Sequence, residues 1–126
     1  MKITIETIPH DQQRYPTVGD WQWTDPETLV IRVSQLSDWR REVLIAVHEL
    51  VEVLMCKYDG VTQEAVDEFD KDFEKKRLDG NVDEPGDHPD APYRIQHFTA
   101  TTIERILAQA LGVDWQEYEK EIYELP

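Results

Sequence analysis

Polar and apolar residues alternate with a period of two at the start of the chain, through Lys2-Ile3-Thr4-Ile5-Glu6-Thr7-Ile8. That is the pattern of a short strand with Ile3 and Ile5 on one face, and Pro9 stops it. Residues 10–27 are rich in turn formers: Pro16, Gly19 and Pro26 punctuate Trp21 and Trp23, with room for a short strand through 20–24. Thr28-Leu29-Val30-Ile31-Arg32-Val33 is the strongest strand in the chain. With one or both earlier segments it predicts a small antiparallel sheet.

Beyond residue 36 the period lengthens to that of helices. Ser37 or Asp38 caps a first helix, the most apolar segment, which runs to about Tyr58 and is stopped by Asp59-Gly60. Thr62 caps a second, running to about Leu78 with heavy charge after Asp70. Residues 79–92 contain three prolines and two glycines, a composition that predicts irregular backbone. A third helix covers about 93–111 and ends at Gly112; Asp114 caps a fourth over about 115–124. The expectation is one α+β domain over residues 1–126, a small N-terminal antiparallel sheet packed on about four helices with 38–58 at the centre.

Charge narrows the partners. Thirteen basic residues against twenty-seven acidic ones leave a formal net charge of −14, which repels nucleic acid and anionic membranes at long range. The first residues lack the apolar stretch of a signal peptide, and no run approaches the length needed to cross a bilayer, so the expected location is cytoplasmic. Cys56 is the only cysteine, which excludes an intramolecular disulfide and a cysteine-based zinc knuckle.

Chemistry concentrates on the first helix, in His48-Glu49-Leu50-Val51-Glu52. At 100° per residue His48 and Glu52 share a stripe, flanked by Leu44 and Met55 on one side and Ile45 and Cys56 on the other. Glu49 falls at a more polar edge with Glu42. An imidazole and a carboxylate among apolar neighbours are costly to desolvate unless a partner, a shared proton or an ion compensates. Two ligands at i and i+4 on a helix can hold one metal ion, and an acid beside the first can manage protons on an attacking water. His48 would supply nitrogen, Glu52 oxygen, and Glu49 the base. A His–Glu pair that only holds the helix to its neighbours is the structural alternative.

A strand ending near Val33, followed by a capped helix with the His-Glu pair near its middle, resembles the strand–helix core of the small zincin metalloproteases, whose helix carries HExxH. The resemblance covers roughly residues 28–70. Glu52 stands where that family has its second histidine, and the family's acidic third ligand would come from the second helix, among Glu64, Asp67, Glu68 and Asp70. The resemblance implies a metal-dependent hydrolase with a divalent cofactor, zinc first.

The stretch Pro85-Gly86-Asp87-His88-Pro89-Asp90-Ala91-Pro92-Tyr93 runs directly into the third helix, where Tyr93, His97 and Thr101 share a stripe. If His97 faces the first helix, then His48, Glu52 and His97 make a His₂Glu set with an open fourth position, a common arrangement in catalytic zinc sites; otherwise the loop is a solvated connection and His97 an ordinary half-buried histidine. HExxE together with the downstream GDxPDAPY…H stretch is similar to small phage- and prophage-encoded proteins over most of residues 40–115. That similarity implies a mobile-element origin rather than an activity, with a small molecule or a host protein as partner.

Two other readings use different residues. Glu49-x-x-Glu52 followed by Glu64-x-x-Asp67 approximates the magnesium-holding carboxylates of helical nucleotide pyrophosphohydrolases. The charge runs Asp67–Glu84 and Glu117–Glu124 could instead form the surface of a non-enzymatic acidic protein that blocks a host factor. Trp21 and Trp23 are simplest as core residues, or could line a pocket.

Overall fold

The computed structural model describes residues 1–126. Three strands, β1 (Lys2–Ile8), β2 (Gly19–Asp25) and β3 (Thr28–Ser34), form one sheet in the order β1-β3-β2. Four helices follow: α1 (Trp39–Asp59), α2 (Gln63–Lys75), α3 (Arg94–Ala110) and α4 (Trp115–Tyr123). The class is α+β, but the sheet is mixed and not wholly antiparallel. β2 and β3 pair antiparallel across a tight turn in which the Glu27 amide donates to Asp25 Oδ1 at 2.8 Å, while β1 runs parallel to β3, with Ile5 opposite Ile31.

The parallel pair has a physical origin in β3. Its Leu29, Ile31 and Val33 are completely buried, so this strand gains most from a neighbour on each side. The local hairpin fixes β2 against one edge of β3. Residues 9–18 then carry the chain from the end of β1 to the far edge, and β1 is left to cover the remaining side in the same direction as β3.

α1 lies across this sheet, burying Leu44, Ile45, Val53 and Cys56 against Trp21 and the β3 side chains. Each such apolar side chain stabilises the fold by about 2 kcal/mol through the area it removes from water. Asp38 caps α1 by accepting from the Arg40 amide at 2.9 Å, and Gly60 ends it in the left-handed conformation, φ 75°. Thr62 Oγ1 caps α2 through the Ala65 amide. α2 ends at Lys75, short of Leu78, where the Arg77 guanidinium turns back to Glu74 and grips the carbonyls of Asn81 and Asp83.

α3 runs antiparallel to α1. Gln96 Nε2 reaches Asp59 Oδ2 at the end of α1, and Arg40 Nη1 at its start reaches the Leu111 carbonyl beyond the end of α3. The inner face of α3 carries Gln96, His97, Ala100, Glu104 and Ala108. Most apolar side chains of that helix therefore point outward, an inversion of the usual amphipathic arrangement. Between α2 and α3 the backbone is irregular apart from a single 3₁₀ turn, Pro85–Asp87. No helix is long and apolar enough to cross a membrane.

Candidate metal centre

α1 places His48 and Glu52 one turn apart on the face turned toward α3, and α3 brings His97 in from the opposite side. His48 Nε2 lies 3.2 Å from Glu52 Oε2 and 3.2 Å from His97 Nδ1, and His97 Nδ1 lies 2.9 Å from Glu52 Oε2. All three residues are buried. Three donor atoms on a tetrahedral ion with bonds of about 2.1 Å would stand roughly 3.4 Å apart. The observed triangle needs to open by only a few tenths of an ångström to admit one.

The other polar atom of each residue is already engaged. His48 Nδ1 meets Glu104 Oε1 at 2.7 Å, and Glu104 Oε2 accepts from the buried Tyr118 hydroxyl at 2.5 Å. His97 Nε2 meets Glu84 Oε2 at 2.9 Å and Asp87 Oδ1 at 3.4 Å. Glu52 Oε1 accepts from Trp21 Nε1 at 3.0 Å. These partners orient both rings, because an imidazole that donates from one nitrogen to a carboxylate is fixed with its other nitrogen turned inward.

Electrostatics follow from the same contacts. Burial alone would lower the pKa of either imidazole. Hydrogen bonds to Glu104 and Glu52 overcome that for His48 and hold it at about 10. Bonds to Asp87, Glu52 and Glu84 do so for His97, at about 12. Burial would raise Glu52, but its two imidazole neighbours bring it down to about 2. Without an ion, protons shared with Glu52 Oε2 keep the triad together.

The remaining residues border a cleft of about 330 Å³ that opens beside the triad and is walled by Tyr15, Asp20, Trp21, Glu49, Asp70 and Tyr93. Glu49 lies over Gly19, where a Cβ would come within 2.8 Å of Glu49 Oε1 and 2.6 Å of the Ile45 side chain. It faces this cleft and does not lie on an open polar edge. Burial and the Glu52 charge push its carboxyl well above the ordinary range. Asp70 accepts from Tyr93 at 2.5 Å and from Tyr15 at 3.3 Å, and burial raises it to about 7 despite the Tyr93 bond. Of the acids on α2 expected to offer a ligand, Asp70 is the one that reaches the cleft as a buried group. Its oxygens are held by tyrosines, and it does not join the triad.

Several expectations change at this point. Glu64 is exposed and Asp67 pairs with Arg14 at 3.2 Å, so these two do not converge with Glu49 and Glu52. In the run Asp67–Glu84, Asp67, Asp70, Asp72, Glu74 and Glu84 have partners within the chain, while Glu68, Asp79 and Asp83 stand exposed. Cys56 is buried, and burial pushes its thiol up to about 12, which leaves it inert. Glu104 was not apparent from the sequence, although it lies seven residues after His97 on the same helical face. Trp21 was legible as a pocket residue but not as the donor to Glu52.

Gly86 completes the housing. Its backbone packs on the His97 ring so closely that a Cβ at this position would overlap ring atoms. Gly86→Ala is therefore expected to destabilise the chain by about 1–3 kcal/mol as His97 is forced aside, measured by urea unfolding. An unchanged midpoint would mean that the loop yields freely and does not fix the ring. In comparisons with family models, with curated proteins and with solved structures, nothing matches this chain.

Proposed function

We propose that the chain binds one divalent ion, zinc first, through His48 Nε2, His97 Nδ1 and Glu52 Oε2, as the centre of a metal-dependent hydrolase. The observation that carries this reading is the division of labour on each ligand. One polar atom of each is tied to an outer partner, Glu104, Glu84 or Trp21, and the remaining three atoms converge on one another. Once an ion displaces the protons that these two nitrogens share with Glu52 Oε2, two imidazole nitrogens and a carboxylate oxygen face a single point, the His₂Glu donor set of many zinc sites. Two nitrogens among three ligands favour zinc over magnesium, which prefers an all-oxygen shell.

An ion held there would supply Lewis acidity to a carbonyl or phosphoryl oxygen. The chain's own contribution is Glu49. It follows the first ligand directly, borders the same cleft, and has a carboxyl raised by burial, so it can accept a proton near neutral pH and pass it on. Tyr93 and Tyr15 spend their hydroxyl donors on Asp70, which fixes the opposite wall of the cleft and limits its freedom to close on solvent.

The reading is tested by titrating zinc into protein purified without chelators or a metal-binding tag, in competition with a chromophoric chelator. One ion per chain with a saturable isotherm is the expected result. Absence of saturable uptake would overturn the assignment and leave the triad as a structural hydrogen-bond cluster.

A further inference from the structure

We infer that the substrate of this site is a small cationic carbonyl compound, an amide bearing a primary ammonium being the simplest, and that phosphate esters are excluded. The reaction rests on the metal-centre reading above; the charge preference rests on the walls of the cleft alone.

Those walls are acidic, and the chain does not offset them. Carboxylates from β2, α1, α2 and the 82–87 loop border the cleft, whereas Arg77 is its sole guanidinium and no lysine reaches it. Arg77 is already committed, to Glu74 at 2.8 Å and to the carbonyls of Asn81 and Asp83 at 2.7 and 2.8 Å. His48 and His97 face Glu52, Glu84 and Glu104, so the triad with its outer partners leaves no positive surplus. Phosphate recognition relies on charged donors of the kind that this cleft lacks. An ion at the triad would be the only positive contact for such a group.

Two carboxylates in the cleft have no cation of their own. Asp20 holds Arg14 at 2.7 and 2.9 Å. Asp70 is 7 % exposed and accepts only from the hydroxyls of Tyr93 and Tyr15. No donor of the chain reaches Glu49, whose carboxyl is raised by burial and by the Glu52 charge. Carboxylates in such surroundings are costly unless a proton or a cation compensates them. They share one neighbourhood. The Tyr15 hydroxyl lies 3.3 Å from Asp70 Oδ2 and 3.5 Å from Asp20 Oδ1, and after burial it is held up by Asp70, Asp20 and Glu49. Tyr15, Tyr93 and Trp21 border the same space, and aromatic rings beside carboxylates are the combination that receives an ammonium.

At about 330 Å³ the cleft stands at the lower end of small-molecule pockets, so the substrate is a compact molecule. Asp70 receives the ammonium and leaves Glu49 free for the proton. The water oxygen bonds to the carbonyl carbon and the C–N bond breaks. The proton that Glu49 takes from the water goes to the departing nitrogen, so water is the only co-reactant.

Three probes carry the same ring with different charge: para-aminomethylbenzamide, para-hydroxymethylbenzamide and para-carbamoylphenyl phosphate. Each is titrated at neutral pH into the metal-free and the zinc-treated chain and followed by backbone amide shifts. The amine is expected to bind about tenfold more tightly than the alcohol in both forms, with shifts at Tyr15, Trp21 and Tyr93. The phosphate is expected to bind more weakly than the amine in both. Asp70→Asn is expected to abolish the preference for the amine while leaving the affinity of the alcohol in place. Equal affinities for amine and alcohol in the wild type overturn the inference, as do a phosphate that binds as well as the amine, saturable binding of none of the three, or shifts remote from the cleft. Those wild-type results decide even where Asp70→Asn fails to fold. Zinc uptake without a charge preference would sink this inference and leave the metal centre standing. A charge preference without zinc uptake would keep the selectivity of the cleft and remove the hydrolytic reading.

Discussion

His97→Ala is expected to lower the zinc affinity of the chain about a thousandfold. Zinc bound by a complete protein set is worth roughly 10–16 kcal/mol at neutral pH, so deleting one of three ligands removes on the order of 4 kcal/mol. His97 also carries the link between α1 and the 84–87 loop, through Glu52 on one nitrogen and Glu84 on the other. Loss of metal and loss of fold must therefore be separated. His97→Asn keeps a small donor beside Glu52 Oε2 and retains most of the volume. It should stay folded by circular dichroism and still lose zinc in a chelator competition. Glu104→Gln gives the graded control: it touches no proposed ligand atom and only orients His48, and outer partners of this kind are typically worth 10–100-fold in affinity. Equal affinity in wild type and His97→Asn would remove His97 from the ligand set. Equal losses in His97→Asn and Glu104→Gln would show that both act through packing.

The first helix of this centre could be read directly from the sequence, because its information is local. Asp38 and Gly60 bound α1, and the spacing of His48 and Glu52 fixes their common face whatever surrounds them. His97 was accessible by the same argument, since a stripe through Tyr93 and Thr101 gave it one face of α3 and left only the partner helix open. What the spacing could not convey is pairing between distant segments. Alternation identifies β1 and β3 as strands but carries no sign for their relative direction, which here depends on β3 taking the middle of the sheet. The same limit hid the outer partners. Glu104 looks like one more surface acid until α3 is seen to turn its polar side inward, and Glu84 sits in an acidic run until the loop folds back onto His97. Both lie where composition is least informative, because in a chain with this many acids a functional carboxylate has no contrast against its background.

Raising the pH is expected to act in opposite directions on the metal-free and metal-loaded protein. In the metal-free chain the imidazoles of His48 and His97 have pKa values raised to about 10 and about 12, because carboxylate neighbours outweigh burial. A group whose folded pKa lies above its unfolded value, about 6.5 for histidine, binds its proton more tightly when folded. Its stabilising contribution is complete below about pH 6.5 and declines as pH rises, disappearing once the folded value is passed. The melting temperature of the metal-free protein should therefore fall between neutral pH and about pH 10. An ion at the triad must displace the protons on His48 Nε2 and His97 Nδ1. Its affinity should climb between about ten- and a hundredfold per pH unit over the same range, with one to two protons released per ion. Chelator competition at several pH values and proton release in weakly buffered solution measure the two quantities independently. A zinc affinity flat in pH would mean that the inward nitrogens carry no protons to begin with, and the hydrogen-bonded triad would then lack the protons that its 2.9 and 3.2 Å separations from Glu52 Oε2 require. A melting temperature that rises with pH in the metal-free protein would reverse the sign of the linkage and show that Glu52, Glu84 and Glu104 repel one another more than they hold the two rings.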